Sequence, residues 1–116
     1  MSFNWRDFYA LAENPGAAGL DEARVRTCVS RAYYAAFGVA RQTASKWWNF
    51  KPRGTAQDHA LLVEEFKKHG SAIADSLERL RTKRNMCDYE DDIKCNRNIR
   101  DDALRLAKEI LDKCPK

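Results

Sequence analysis

The feature that most constrains the fold is a long helical repeat of apolar residues between about Asp21 and Ala44. Apolar side chains recur there at spacings of three and four residues, which predicts one continuous helix. Small residues line the same segment, at Ala32, Ala35, Ala36, Gly38 and Ala40. Because small side chains let a second helix approach closely, we expect this helix to be the central one of a bundle.

Four further segments have the same period, at about residues 5–13, 56–69, 72–87 and 96–114. The stretches 47–54 and 88–92 lie between them and are predicted to be loops. Asp21, Thr55 and Ser71 are expected to cap helix N-termini, and Gly70 to stop the third helix. The sequence therefore predicts an all-α fold in one domain over residues 1–116. The expected architecture is an up-and-down helical bundle of four main helices plus a short N-terminal helix.

The charge balance permits a nucleic-acid partner without demanding one. Lysine and arginine number 21 against 17 aspartates and glutamates, a formal net charge of +4. No segment approaches the roughly 18 apolar residues needed to cross a bilayer. The first ten residues carry charges of both signs and lack the apolar core of a signal peptide. We expect a soluble, cytoplasmic protein with no membrane partner.

The four cysteines and two histidines do not form a metal-binding pattern. No Cys-x-x-Cys pair occurs, and His59 and His69 do not fall at zinc-finger spacing. The sequence therefore predicts no metal site and no cofactor. We expect four reduced thiols. A Cys87–Cys95 bridge across residues 88–92, an acidic run with four aspartates and glutamates, is the other interpretation.

Arg84 is the most informative single position. It falls where the apolar stripe of the fourth segment predicts a core residue, and a buried guanidinium needs partners. Asp88 follows one turn later and can pair with it, while Asn85 and Tyr89 add hydrogen-bonding groups. Two interpretations stay open: an ion pair that closes the helix, or a polar cleft around Arg84.

Other candidate residues have an ordinary structural interpretation beside a functional one. Tyr33 lies on the apolar stripe of the second segment and is expected to pack in the core. His59 starts the apolar face of the third segment, as a packed residue or as a catalytic group. Two basic sets could bind phosphates or simply face solvent. The first set is Arg79, Arg81 and Lys83 beside Arg84, and the second is Lys51 and Arg53. The second set follows the segment Trp47-Trp48-Asn49-Phe50, whose three aromatic side chains could stack bases or plug the end of the bundle.

Three segments together resemble the HEPN domain family (higher eukaryotes and prokaryotes nucleotide-binding). Residues 30–37, Ser-Arg-Ala-Tyr-Tyr-Ala-Ala-Phe, resemble its SRAYYAAF-type segment. His59 followed by Leu62, Val63 and Phe66 is similar to its third helix. Leu80-Arg81-x-x-Arg84-Asn85-x-x-Asp88-Tyr89 is similar to the L-x-x-x-R-x-x-x-D-Y segment of small bacterial members. The resemblance covers about residues 5–112.

The resemblance implies a homodimer with a polar cleft at the interface between the two copies. Many HEPN proteins are metal-independent ribonucleases of toxin–antitoxin or phage-defence systems. Their motif is an arginine, a polar residue and, some residues later, a histidine. Arg84 and Asn85 match the first two positions, whereas Tyr89 stands where the histidine is usual. Tyrosine, whose ordinary pKa is about 10, is a poorer base than histidine at neutral pH.

Two functional hypotheses follow from the resemblance. The first is a binding component of a toxin–antitoxin or phage-defence system that holds RNA or a nucleotide, with an antitoxin or a nucleotidyltransferase as a possible partner. The alternative is a metal-independent ribonuclease toxin with a variant motif. Its catalytic residues would be Arg84, Asn85, Asp88 and Tyr89, with His59 as a further candidate.

Overall fold

The computed structural model describes residues 3–14 and 21–115 of the chain. They form five helices: α1 (Arg6–Glu13), α2 (Glu22–Trp48), α3 (Asp58–Lys68), α4 (Ile73–Tyr89) and α5 (Arg97–Lys113). No strand occurs in these two ranges. The predicted all-α bundle of four main helices and a short N-terminal helix is therefore confirmed. Within the same ranges, no helix is long and apolar enough to cross a membrane.

Helix α2 is the central element, because it contacts each of the other four helices. It begins as predicted at Asp21, whose carboxylate accepts a hydrogen bond from the Arg24 backbone N–H at 2.9 Å. Its small residues allow the close packing that the sequence predicted. At Gly38 the approach is so close that a Cβ atom would overlap the indole ring of Trp5.

Helix α2 ends at Trp48, so the prediction that it ends near Ala44 and that Trp47 and Trp48 lie in a loop is wrong. The added turn is held by Trp48, which packs edge-on against Phe66 and stacks on His69 with ring centroids 3.8 Å apart. Asn49 then ends the helix in the left-handed conformation, at φ 56°. Trp48 thus closes the end of the bundle, while Trp47 is exposed.

The turn between α3 and α4 contains the glycine stop that the sequence predicted. Gly70 has φ +66°, and the N–H groups of Gly70 and Ser71 bond back to the last turn of α3. The expected Ser71 cap is wrong by one residue, because the N-cap of α4 is Ala72, which makes no side-chain cap. The Ser71 hydroxyl still accepts a hydrogen bond from the Ile73 backbone N–H. The expected Thr55 cap is wrong: α3 starts at Asp58 and has no side-chain cap. The buried Asp58 carboxylate instead binds the N–H groups of Arg53 and Gly54 and so shapes the preceding loop.

Helix α4 continues to Tyr89, so the prediction of a loop from residue 88 is wrong for its first two residues. The Arg26 guanidinium explains this extension, because it donates to the carbonyl oxygens of Cys87, Glu90 and Ile93 at 2.6 to 3.1 Å. These bonds satisfy carbonyl groups that a helix end leaves without intrahelical partners. Arg26 thereby anchors the end of α4 to α2.

Candidate functional site

A cleft of about 300 Å³ opens between α2, α3 and α4. Three helices and one loop supply its walls, so it depends on how the bundle is packed. Its lining residues are Tyr33, Tyr34 and Phe37 from α2, Thr55 and Ala56 from the loop before α3, His59 from α3, and Arg81, Arg84 and Tyr89 from α4. The combination of guanidinium groups, phenols and an imidazole makes it the main concentration of chemistry-bearing side chains in the described part of the chain.

Arg84 is largely buried, as its position on the α4 stripe predicted, with 12% of its side chain exposed. Its Nη1 atom donates to the phenol oxygens of Tyr34 and Tyr89, both at 3.2 Å. Asp88 pairs with it one turn later, with an Nη1–Oδ2 distance of 3.7 Å. The guanidinium carbon also lies 4.9 Å from the ring centroid of Tyr33. Arg84 therefore occupies an aromatic cage that favours a cation.

The two interpretations of Arg84 are both realised in part. The ion pair with Asp88 closes the helix, and the same guanidinium lines the polar cleft. Tyr89, which is 69% exposed, brings its hydroxyl back to Arg84 across the cleft mouth. The structure thus gathers three of the four predicted catalytic residues of α4, Arg84, Asp88 and Tyr89, in one place.

His59 enters the same cleft from α3 and is fixed by a short hydrogen bond of 2.7 Å between its Nδ1 atom and the Tyr33 hydroxyl. Burial, with the positive charges of Arg81 and Arg84 nearby, lowers the pKa of His59 to about 4. Burial also raises the pKa of Tyr33 to about 12. At neutral pH the pair is consequently an uncharged imidazole bonded to an uncharged phenol. A histidine with so low a pKa is a weak general base.

Arg81 lies one turn before Arg84 and has no ion pair and no side-chain hydrogen bond among the described residues. Three buried nitrogen atoms of the cleft residues likewise lack partners: Nε of Arg81, Nε of Arg84 and Nε2 of His59. Buried polar atoms normally find a partner, because leaving one without a hydrogen bond costs about 1 to 3 kcal/mol. The cleft therefore carries positive charge and donor capacity that the fold itself does not use.

The remaining predicted residues lie outside this cleft. Asn85 lines a neighbouring cavity of about 260 Å³, which shares His59 and Arg81 with the cleft. Arg79 is exposed and pairs with Asp75, and Lys83 pairs with Asp102 on α5. Lys51 and Arg53 are exposed in the loop between α2 and α3 and do not line the cleft. Of the basic candidates, only Arg81 and Arg84 share one site.

Three aromatic residues of the cleft, Tyr33, Tyr34 and Phe37, were not among the predicted site residues. Tyr33 is buried as predicted, yet its hydroxyl reaches His59. A signal was present, since a tyrosine on an apolar helix stripe needs a partner for its buried hydroxyl. The identity of that partner depends on how α3 packs against α2, which the periodicity of one helix does not specify.

The described residues contain no group of three or more histidine, cysteine, aspartate or glutamate side chains placed to hold a metal ion. What the cleft can do is bind an anion with its guanidinium groups and stack an aromatic ring on its phenols. No protein-family model matches the chain, and comparisons with curated proteins and with solved structures find no match. The cleft and the motifs in the sequence are therefore the basis for assigning a function.

Proposed function

We propose that this chain is a HEPN-like binding module that holds RNA or a nucleotide in the cleft between α2, α3 and α4, as a component of a toxin–antitoxin or phage-defence system. The observation that carries the proposal is the pair of arginines on successive turns of α4. Arg81 has no counter-charge among the described residues, and Arg84 is caged by tyrosines beside a single aspartate. A phosphate group would supply the missing negative charge.

The aromatic wall supports a nucleic acid over a simple anion. Tyr34 and Tyr89 flank Arg84, and Tyr89 is largely exposed, so its ring is available to a base. Stacking of a base on an aromatic side chain contributes about 1 to 3 kcal/mol and tolerates different bases. The cleft volume of about 300 Å³ suits one nucleotide unit better than a duplex. The resemblance to HEPN domains adds a homodimer and an antitoxin or nucleotidyltransferase partner to the proposal.

Binding without cleavage is favoured over the ribonuclease alternative by the state of His59. Its pKa of about 4 and its bond to Tyr33 leave it a weak base at neutral pH. Asn85, the second residue of the variant motif, lines the neighbouring cavity instead of the cleft. The alternative keeps Arg84, Asp88 and Tyr89 as its catalytic group, with Tyr89 at the position of the usual histidine.

The decisive experiment measures RNA binding and RNA cleavage together. Labelled single-stranded RNA is incubated with the protein in EDTA, and affinity is followed by fluorescence anisotropy and integrity on a gel. Arg84→Ala is compared with Arg79→Ala, which removes the same charge from the same helix but outside the cleft. We expect Arg84→Ala to weaken binding at least roughly tenfold and Arg79→Ala by less than about twofold, without cleavage. Circular dichroism confirms that both variants are folded.

Other outcomes would contradict the proposal in distinct ways. Equal weakening by both variants would mean that RNA meets the general basic surface and not the cleft. RNA cleavage that persists in EDTA and disappears in Arg84→Ala would establish the ribonuclease alternative. A folded protein with no affinity for RNA or nucleotides would refute both.

A further inference from the structure

Two cysteines that the proposed function does not use lie in direct contact. Cys87 is in the last turn of α4 and Cys95 lies just before α5, and their Sγ atoms are 2.8 Å apart. This separation is only about 0.8 Å longer than the S–S bond of a disulfide, at about 2.05 Å. Both side chains are buried, with 2% and 4% exposure. The two sulfur atoms therefore need to move less than about 1 Å to reach bonding distance.

The backbone on both sides of this contact is held by one turn of α2. The Arg26 guanidinium donates to the Cys87 carbonyl oxygen at 2.8 Å. The Glu22 carboxylate accepts from the Cys95 backbone N–H at 3.0 Å and also pairs with Arg26. That backbone hydrogen bond, with Arg26, holds the pKa of Glu22 below its ordinary value. Because Arg26 binds the Cys87 backbone, Glu22 binds the Cys95 backbone, and the two side chains pair with each other, the approach of the thiols is built into the fold.

We propose that Cys87 and Cys95 form an oxidation site, at which a peroxide converts the thiol pair into an intramolecular disulfide that a dithiol reductant reverses. In the first step one sulfur attacks a peroxide oxygen, the O–O bond breaks, and a sulfenic acid and water form. The second sulfur then attacks the sulfenic sulfur, the S–O bond breaks and a second water leaves. The two thiols lose two electrons and two protons in all, and hydrogen peroxide is reduced to two waters.

The other two cysteines do not share this arrangement and provide an internal control. Cys28 and Cys114 are buried free thiols, and in the described residues the only thiol–thiol contact is that between Cys87 and Cys95. Burial raises the pKa of Cys114 as it raises that of Cys87. All four thiols are buried, and the property that distinguishes Cys87 and Cys95 is their proximity.

Burial determines how fast the disulfide forms, and it does not determine which two cysteines form it. A thiol with a raised pKa has little thiolate at neutral pH, and the thiolate is the nucleophile. Peroxide must also reach a buried pair, which requires transient opening of the non-helical segment between α4 and α5. We therefore expect the disulfide to form slowly, and to form between these two residues because they meet again each time the segment closes.

The bond is detected by peptide mapping of the whole protein after peroxide treatment and alkylation. Trypsin cleaves after Arg84, Lys94 and Arg97, so the two cysteines fall in separate peptides, 85–94 and 95–97. The expected product is these two peptides joined, at a mass about 2 Da below the sum of the reduced pair. The joined species should disappear on reduction, and Cys28 and Cys114 should remain alkylated. Cys95→Ser should abolish the species, whereas Cys114→Ser should leave it unchanged.

A second measurement does not depend on whether a variant folds. Closing the short loop from residue 87 to residue 95 should raise the thermal unfolding midpoint of the oxidised wild-type protein by about 5 to 10 °C over the reduced form. Four alkylated thiols after peroxide, oxidation that stops at sulfinic acid, or disulfides that involve Cys28, Cys114 or a second chain would each overturn the proposal. None of these readouts uses RNA, so the result is separate from that of the proposed function.

Discussion

Arg26 and Arg84 are both largely buried arginines that bridge α2 and α4, yet their surroundings differ. Arg26, with 23% of its side chain exposed, directs its donors to three backbone carbonyl oxygens and to the Glu22 carboxylate. Arg84 meets two phenols and a more distant carboxylate, and its Nε has no partner. These partners indicate which buried arginine serves the fold and which is available to a ligand.

The physical reason lies in the acceptors. Backbone carbonyls at a helix end must be satisfied by something, and a guanidinium with several donors can bind them at once. Phenol oxygens carry no charge, so the Asp88 carboxylate, 3.7 Å away, is the one charged partner of the Arg84 guanidinium among the described residues. The Arg26 region should therefore respond to mutation mainly through stability, and the cleft mainly through binding.

The largest expected effect is on stability at Arg26. Arg26→Ala leaves the carbonyl oxygens of Cys87, Glu90 and Ile93 without their charged donor. We expect the thermal unfolding midpoint to fall by roughly 10 °C, measured by circular dichroism. Arg24→Ala is the matched control, since Arg24 lies on the same helix in an exposed pair with Asp21 and should change the midpoint by less than about 2 °C. A similar small shift in both variants would remove the distinction between the two kinds of arginine.

The next largest expected effect is a pH dependence of the free energy of unfolding, which comes from the buried His59 in the cleft. Its pKa is about 4 in the folded chain against an ordinary 6.5, so the unfolded chain takes up the proton first as the pH falls. The contribution of the neutral His59 imidazole to the free energy of unfolding is therefore complete above pH 6.5. It is lost progressively as the pH falls from 6.5 toward 4. Between about pH 7 and pH 5 it should lower the free energy of unfolding by about 2 kcal/mol. Denaturant titrations at both pH values measure it.

The variant that tests this prediction is His59→Gln. The loss of stability between about pH 7 and pH 5 should be about 2 kcal/mol smaller in His59→Gln than in the wild type. An equal pH dependence in His59→Gln and the wild type would show that His59 is not held neutral by the cleft.

Arg84 also shows which contacts could be predicted from the sequence and which could not. The apolar stripe of α4 predicted that Arg84 is buried, and spacing predicted Asp88 as its partner, because both depend only on one helix. The hydrogen-bond partners that come from another helix could not be predicted in this way. Tyr34 from α2 binds Arg84, and Tyr33 from α2 binds His59, through packing between helices that no single period encodes.

The two helix ends that sequence reasoning placed wrongly have the same explanation. Trp48 extends α2 because Phe66 and His69 of the α3 region pack against it. Asp88 and Tyr89 extend α4 although they start an acidic run, since Arg26 and Arg84 supply the compensating contacts. In both cases a tertiary contact overrides the local signal that a loop begins.

The smallest expected effect on stability is at Arg81. Its replacement should change RNA binding and leave stability nearly unchanged. Because its guanidinium has no partner among the described residues, Arg81→Ala should change the unfolding midpoint by less than about 3 °C. The same variant should weaken RNA binding roughly tenfold and reduce the slope of log affinity against log salt by about 0.7, the value for one phosphate contact on a single strand. Arg81→Lys keeps the charge and should restore the slope, with only part of the affinity, because a lysine lacks the planar fork. A large loss of stability in Arg81→Ala, with RNA affinity unchanged, would place Arg81 with Arg26 as a structural arginine.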